Sequence, residues 1–435
     1  MRRLLSRGVG AVAGRARQRA SAFLEFARPV HAGEVTGLAG PVLARLRQGG
    51  VAFFAGALSD EAPGFVADHA ADWRERTLES AQRLLAGKFD LLGYRGLDFG
   101  RPVQWHLDPV SGRRAPFRHW SRIDPLDPAE VGDAKVIWEL GRHQWLVRLA
   151  QGFLLTGDER YSHAALDSID SWLEENPPGI GIHWASSLEI ALRLISWCWT
   201  LVLLRHASSL NEERIGRILA SVEEQGRRVE RQLSTWYSPN THLTGEALGL
   251  FYAGVVFHEL PSAARWIALG REILLEEREH QVLPDGVHVE RATCYQRYTA
   301  DIYLHFLALA ARAGVSVPPD VAEAAARLCD FLVAIRRPDG SLPSIGDADG
   351  GWLMPLAPRA ADDVRGTLST GAVLLGRGDY AEPAGALTPE TMWLFGAASA
   401  LRAPEAHASA SRLFPDGGFA IMRGGDHQLV FDVGP

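Results

Sequence analysis

Residues 211–233 of this 435-residue chain read NEERIGRILASVEEQGRRVERQL, and they indicate the fold class. Their apolar residues recur every three or four positions with Glu and Arg between them, at Ile215, Ile218, Leu219, Val222, Val229 and Leu233. Asn211 stands where an N-cap is expected, because its side-chain oxygen can accept from the open amides of a first helical turn. The stretch therefore predicts a long helix with one face on a core.

The same periodicity continues on both sides of this helix. Further helices are predicted at Lys135–Leu155, Tyr161–Trp172, Ser187–Leu204, Leu243–Val256, Ala263–His280, Thr293–Ala313 and Val321–Ile335. Short turns rich in Gly, Pro and Asp separate them. Because a long series of antiparallel helices must close on itself or stack, we expect an all-α fold for most of the chain, with an (α/α) toroid as the natural architecture. Periodicity alone does not distinguish a toroid from an open superhelix.

The end of the chain has a different pattern. Residues 414–435, FPDGGFAIMRGGDHQLVFDVGP, predict a turn followed by strands at Phe419–Arg423 and Gln428–Asp432. Two strands are not stable alone in water, so these either dock onto the helices or begin a β domain. We favour the β domain.

Composition limits the classes of protein. The net charge of −7 argues against a nucleic-acid partner, since such proteins normally carry a basic surplus. The three cysteines, Cys198, Cys294 and Cys329, form neither a zinc pattern nor a disulfide framework. No apolar run suits a signal peptide or a transmembrane segment. We expect a cytoplasmic protein, with a periplasmic or secreted one as the alternative.

Asn240 and His242 form the first candidate site, in Ser-Pro-Asn-Thr-His at 238–242. One interpretation is that Asn240 caps the next helix. The other is that the amide and the imidazole both face a ligand.

Tyr295 and Tyr298 form the second candidate site, because with Ile302 and His305 they share one helix face. Such a stripe more often packs in a core than takes part in catalysis. Tyr295 stands out because a polar run, 290–293, precedes it.

A third cluster combines aromatic, basic and acidic residues: Arg142, His143, Trp184, Glu189 and Arg193. Indole rings can support a sugar face, and guanidinium groups bind carboxylates in a bidentate fork. Two local explanations compete with this. Glu189 can close a capping box with Ser186, and it can pair with Arg193 one turn later.

Metal and nucleotide signatures are absent from the sequence. Asp347 and Asp349 alternate in a glycine-rich segment, but too few further oxygen ligands follow for calcium, so a turn is the better interpretation. No cofactor is expected.

Taken in order, several stretches resemble the heparinase II/III-like polysaccharide lyases. They are WELGRH (138–143), TGDERY (156–161), WASSLEIALR (184–193), SPNTHLTGEALGL (238–250), QVLPDGVHVERATCYQRY (281–298) and the final GGFAIMR and LVFDVGP. The resemblance implies β-elimination at a uronic acid, in which a base removes the C5 proton and an acid protonates the leaving oxygen. It implies that Asn240 binds the uronate carboxylate, that His242 neutralises it or acts as base, and that Tyr295 donates the proton, with a second role as base left open.

The same resemblance implies that Arg142, His143, Trp184, Glu189, Arg193 and Tyr298 line the sugar subsites. The chain departs from many relatives at Gln296, where they carry a histidine, and from some at Thr241, where they carry a second asparagine.

The resemblance also implies a domain plan. Residues 1–50 would be an N-terminal helical arm, 51–385 an incomplete (α/α) barrel, 386–410 a linker, and 411–435 the first strands of a β-sandwich. The rest of that sandwich, with a Gly-His-x-His-Ala-Asp segment and a structural divalent metal in some relatives, would follow. A protein that ended at Pro435 is expected to be poorly soluble and to have little lyase activity.

Two other functions remain open at this point. One is a glycan-binding or exopolysaccharide-assembly protein without activity. The other is a toroid glycoside hydrolase with a carboxylate pair among Glu246, Glu290, Asp347 and Asp349. The expected partner in the lyase case is an anionic polysaccharide, alginate-like or heparin/heparan-like, and a homo-oligomer is left open.

Overall fold

The computed structural model describes residues 35, 37–236, 238–348, 351–384, 388–396, 410–424 and 427–434. Within them the helices are α1 (Ala39–Arg47), α2 (Ala55–Leu58), α3 (Ala62–His69), α4 (Ala71–Leu85), α5 (Pro128–Val131), α6 (Ala134–Gly141), α7 (Gln144–Thr156), α8 (Glu159–Glu175), α9 (Ser187–Leu203), α10 (Glu212–Arg231), α11 (Thr241–Val256), α12 (Ala263–Gln281), α13 (Thr293–Ala313), α14 (Pro319–Ile335), α15 (Arg365–Leu375), α16 (Gly378–Ala384) and α17 (Pro389–Phe395). The strands are β1 (Phe89–Leu91), β2 (Tyr94–Leu97), β3 (Leu107–Asp108), β4 (Arg113–Arg114), β5 (Arg412–Phe414), β6 (Phe419–Gly424) and β7 (His427–Asp432).

The chain forms two compact units. The first comprises residues up to 51 together with 79–271, and the second comprises 52–78 and 272–435. The predicted N-terminal arm lies largely outside the described residues, as does part of the predicted linker. In the described ranges no helix is both long and apolar enough to cross a membrane.

Helix α9 is the centre of the first unit. Nearly all of its residues are buried, and it packs against α7, α10 and α11. Helices α9 and α11 approach closely at Gly249, where a Cβ would lie 2.6 Å from the Cβ of Ala191. A larger residue at 249 would therefore force the two helices apart. Two small antiparallel hairpins, β1–β2 and β3–β4, complete this unit.

Helix α10 confirms the opening prediction. It begins after Asn211, whose Oδ1 accepts from the backbone N–H of Arg214 at 3.0 Å. Five of the six apolar residues that predicted its inner face lie within the helix and are buried, namely Ile215, Ile218, Leu219, Val222 and Val229. The amphipathic pattern therefore indicated which face is buried.

The predicted helix from Lys135 to Leu155 is wrong as a single element. Helix α6 ends at Gly141 and α7 begins at Gln144, because His143 has a left-handed backbone, with φ 59° and ψ 17°. The buried His143 ring is held by Trp197, whose Nε1 donates to His143 Nδ1 at 2.9 Å. This tertiary contact accompanies a backbone conformation that non-glycine residues rarely adopt.

In the second unit, helices that follow one another in the sequence pack against each other. Helix α14 lies against α13 and α15, and α15 lies against α16 and α17. The antiparallel sheet β5–β6–β7 rests on α14, where Phe331 meets Phe414 and Phe419 with ring centroids 4.8 and 5.4 Å apart. The two predicted strands are confirmed as β6 and β7, whereas β5 was not predicted.

Candidate functional site

Asn240 and His242 lie together at the start of α11. The Asn240 Oδ1 accepts from the backbone N–H of His242 at 3.2 Å and lies 3.1 Å from its ring Nδ1. The predicted N-cap is therefore confirmed. Since an amide oxygen carries no hydrogen, Nδ1 is the donor in this contact, and a neutral His242 ring then has an unprotonated Nε2. The pair thus has an amide NH₂ that can donate and an imidazole nitrogen that can take a proton.

The segment before Asn240 is tied down at two points. Ser187 Oγ donates to the Gln232 carbonyl at 2.8 Å, and Glu246 accepts from both the N–H and the Oγ of Ser234, at 2.7 and 2.6 Å. Glu246 lies on α11, one turn after His242, and is buried. Burial raises the pKa of its carboxyl to about 8. Glu246 was considered above only as a hydrolase carboxylate, and here both of its oxygens serve the internal contact with Ser234.

Arg142 joins two carboxylates in the first unit. Its Nε and Nη2 donate to Glu189 at 2.6 and 2.9 Å, and its Nη1 donates to Glu139 at 2.6 Å. The expected capping box is wrong, because Ser186 makes no side-chain cap. Arg193 does not pair with Glu189 either, because its guanidinium donates to other residues. The bidentate contact that a guanidinium can make with a substrate carboxylate is thus made by Arg142 with Glu189.

Arg193 and His143 are fully buried. Arg193 donates to Gln225 Oε1 at 2.8 Å and to the carbonyls of Gly141 and His183, and its guanidinium stacks 4.2 Å over the Trp172 ring. Burial lowers the pKa of His143 well below its usual value, so its ring is neutral. In this structure both side chains therefore contact protein atoms, and their part in substrate binding stays a prediction.

Trp184 lines a small cavity of about 60 Å³ with His119, Gly179, Glu224 and Arg228 among its other walls. The Trp184 side chain is only 2% exposed, and its carbonyl accepts from Arg228 Nη2 at 3.1 Å. The same guanidinium lies 3.9 Å over the Trp120 ring. Trp184 is therefore a buried wall residue beside Arg228, and its part in substrate binding stays a prediction.

Tyr295 lies in the second unit, in the first turn of α13. Its hydroxyl donates to Asp347 Oδ2 at 3.0 Å, and the ring is half-buried. Tyr298, one turn further along, is buried at 4% exposure, as are Ile302 and His305. Most of this helix face therefore packs in the core, which is the more common role of such a face. Tyr295 lies at its more exposed end.

Gln296 is a buried internal link. Its Nε2 donates to the carbonyls of Gly286 and Leu328 at 2.8 and 3.2 Å, while its Oε1 accepts from the backbone N–H of His288 at 2.7 Å. The side chain thus ties α13 to the turn before it and to α14. Thr241, the other departure noted above, is buried at 3% exposure.

The structure thus groups the predicted residues by unit. Asn240, His242 and the Arg142 cluster belong to the first unit, while Tyr295 and Tyr298 belong to the second. That Asn240 and Tyr295 face one substrate stays a prediction. Asp349 lies outside the described residues. Among those described, no group of three or more His, Cys, Asp or Glu side chains is arranged to hold a metal ion.

Known proteins are similar to a large part of this chain. A family model for the heparinase II/III N-terminus matches residues 63–354, more than half of the chain. The chain therefore belongs to the heparinase II/III family. A heparin-sulfate lyase of Pedobacter heparinus is 26% identical over 286 residues, which are 64% of this chain and 39% of that protein. A heparin-sulfate lyase of Bacteroides thetaiotaomicron is 26% identical over 206 residues, 46% of this chain and 29% of that protein.

Solved structures support the fold class. The crystal structure of heparan sulfate lyase HepC from Pedobacter heparinus superposes with a TM-score of 0.58 at 21% identity, covering 94% of this chain and 58% of that one. A crystal structure of heparinase III gives a TM-score of 0.53 at 18% identity, covering 81% and 52%. The predicted class, a helical chain of the (α/α) toroid type followed by the first strands of a β domain, is confirmed. The chain spans less than two thirds of the length of these relatives.

Proposed function

We propose that the protein is a polysaccharide lyase that cleaves uronic-acid-containing glycans by β-elimination, with heparin- or heparan-like and alginate-like chains as candidate substrates. The observation that carries this proposal is the Asn240–His242 pair, fixed side by side at the first turn of a 16-residue helix. Family membership and the names of the matched relatives support the same chemistry.

The helix start suits a carboxylate. The backbone N–H groups of a first turn are directed outward, and the helix dipole favours negative charge there. An Asn240 amide that donates to the uronate carboxylate would lower the cost of the C5 anion, as fixed donors do in an oxyanion hole. His242 would take the C5 proton on Nε2 in the neutral tautomer that donates from Nδ1, or would help neutralise the carboxylate as a protonated ring.

Tyr295 would donate the proton that the leaving glycosidic oxygen takes up. Its hydroxyl can protonate the glycosidic oxygen as the C4–O4 bond breaks, and the product end then carries a C4–C5 double bond. A phenol is neutral over the whole physiological range because its reference pKa is about 10. Within this scheme the substrate-binding residues are Arg142, His143, Trp184, Glu189, Arg193 and Tyr298.

The test is an ultraviolet assay for unsaturated uronate. The chain, and the complete gene product if it is longer, are incubated with alginates, heparin, heparan sulfates and bacterial exopolysaccharides. We expect new absorbance with one glycan class, reduced at least about 100-fold by Asn240→Ala or Tyr295→Phe, as for loss of a transition-state donor. Tyr94→Phe, an exposed tyrosine of β2, is the matched control and should keep full activity.

Absence of absorbance with every glycan would refute the proposal. Glycan binding that survives both site substitutions would then point to a binding or assembly protein. Reducing ends released without a double bond would instead indicate hydrolysis.

A further inference from the structure

Asp347 contacts the hydroxyl of Tyr295, and the lyase mechanism proposed above does not use it. It comes from a loop 52 positions further along the chain, and its Oδ2 accepts from the Tyr295 hydroxyl at 3.0 Å. Asp347 itself is exposed, so the carboxylate is solvated on its other side.

The loop that presents Asp347 is built onto the start of α13. We call residues 343–347 the strap. Thr293 donates from Oγ1 to the Pro343 carbonyl at 2.7 Å and from its N–H to the Ile345 carbonyl at 3.0 Å. The Ile345 N–H in turn lies 3.3 Å from Thr293 Oγ1. Three hydrogen bonds to one residue thus hold the strap two positions from Tyr295.

Gly346 allows the strap to lie this close. Its φ is +72°, and a Cβ there would be 2.9 Å from the Cα and Cβ of Ala292. Any other residue would both strain the backbone and push the strap from the helix. Just beyond the strap, Arg297 donates to the Gly351 carbonyl at 2.6 Å and stacks 4.0 Å from the Trp352 ring. The strap is therefore held against the start of α13 on the N-terminal side of Asp347.

We propose that Asp347 is a positioning residue for Tyr295: its carboxylate holds the hydroxyl in place as a neutral phenol, so that Tyr295 enters the reaction as proton donor. This inference rests on the proposed lyase function. Rotation about the Cα–Cβ bond of Tyr295 moves the hydroxyl oxygen, and an acceptor at that oxygen limits this rotation. A carboxylate 3.0 Å away also opposes the phenolate by charge repulsion, which disfavours a resting state in which Tyr295 is a base.

The proton balance of this step is simple. The Tyr295 O–H bond breaks and its proton goes to the glycosidic oxygen, while the C4–O4 electron pair goes to that same oxygen. A separate base takes the C5 proton, and the C5 electron pair forms the double bond. The phenolate next to Asp347 then takes a proton from water as the base returns its own to solvent. Asp347 gains and loses no proton.

The experiment compares Asp347→Ala, Asp347→Asn and the control Asp362→Ala in the active protein, with whichever glycan the wild type cleaves. Asp362 is an exposed acid of the same unit. Asp347→Ala should lower kcat about 10-fold with KM changed less than about two-fold, because misplacement of a catalytic group affects turnover. Asp347→Asn keeps an acceptor oxygen and should recover part of the loss. Asp362→Ala should match the wild type.

A double-mutant cycle with Tyr295→Phe separates positioning from a general structural effect. Once the hydroxyl is absent, Asp347→Ala should cause no further loss of the residual rate. Equal losses in both backgrounds, or a wild-type rate for Asp347→Ala, would overturn the inference while leaving the lyase function intact.

Melting temperatures of the same four proteins give a second readout that needs no activity. A shift on Tyr295→Phe that disappears in the Asp347→Ala background supports the contact, and identical shifts in both backgrounds overturn it. If no form cleaves any glycan, the proposed function fails, and the melting cycle alone then decides whether Asp347 positions Tyr295.

Discussion

Replacement of Arg142 by Met tests a largely buried charge cluster of the first unit. The substitution keeps the length of the side chain but leaves the carboxylates of Glu139 and Glu189 without their shared cation. These side chains are 11% and 6% exposed, and Arg142 is 14% exposed, so water can replace the lost contacts only in part. Removal of one partner from a buried pair typically costs about 3–5 kcal/mol, and we expect the lower end because of the residual exposure.

The measurement is denaturant unfolding of the wild type and of three variants. Arg142→Met should lower the free energy of unfolding by about 3 kcal/mol, whereas Arg142→Met combined with Glu139→Gln and Glu189→Gln should regain most of it, because no unpaired charge remains. Arg160→Met is the control, since Arg160 is 79% exposed in its pair with Asp158 and should leave the midpoint unchanged. A loss below about 1 kcal/mol for Arg142→Met, the range of surface pairs, would refute this account of the cluster.

Three further outcomes are expected for stability. The folded-state pKa of Glu246, raised to about 8, means that its ionisation destabilises the fold as pH rises from about 4.5 to 8. Glu246→Gln should therefore flatten stability against pH in that window, and an unchanged slope would contradict this. Gly249→Ala should cost about 1–3 kcal/mol in urea unfolding through overlap with Ala191, whereas Gly216→Ala, whose Cβ would meet nothing nearer than 3.7 Å, should be neutral or stabilising. Asn211→Ala should cost about 1 kcal/mol through loss of the α10 cap, and a thermal midpoint equal to that of the wild type would show the cap to be dispensable.

The Asn240 segment shows how far local pattern reaches. The sequence predicted Asn240 both as a helix cap and as a ligand group. The cap is confirmed, because capping involves residues within one helical turn. The contact between Ser234 and Glu246, which also holds the segment before Asn240, was not predicted. A buried carboxylate facing a serine 12 positions away leaves no periodic signal in the sequence.

The Arg142 cluster shows where local rules fail. Ser186, Glu189 and Arg193 have the spacing of a capping box and of a helical ion pair, and the structure has neither. Glu189 instead pairs with Arg142, 47 positions earlier. A helical ion pair is worth a few tenths of a kcal/mol and an N-cap about 1 kcal/mol, and a bidentate bond to a partner brought in by packing outweighs the ion pair.

The sequence by itself determined the helical class, most helix positions, the caps at Asn211 and Asn240 and the last two strands. These features depend on periodicity and on hydrogen bonds between residues a few positions apart, which the order of residues records directly. Only the tertiary structure decided the break at His143, the pairing of Arg142 with Glu189 and the contact of Asp347 with Tyr295. Each of these depends on side chains about 50 positions apart, whose meeting follows from how whole helices and loops pack.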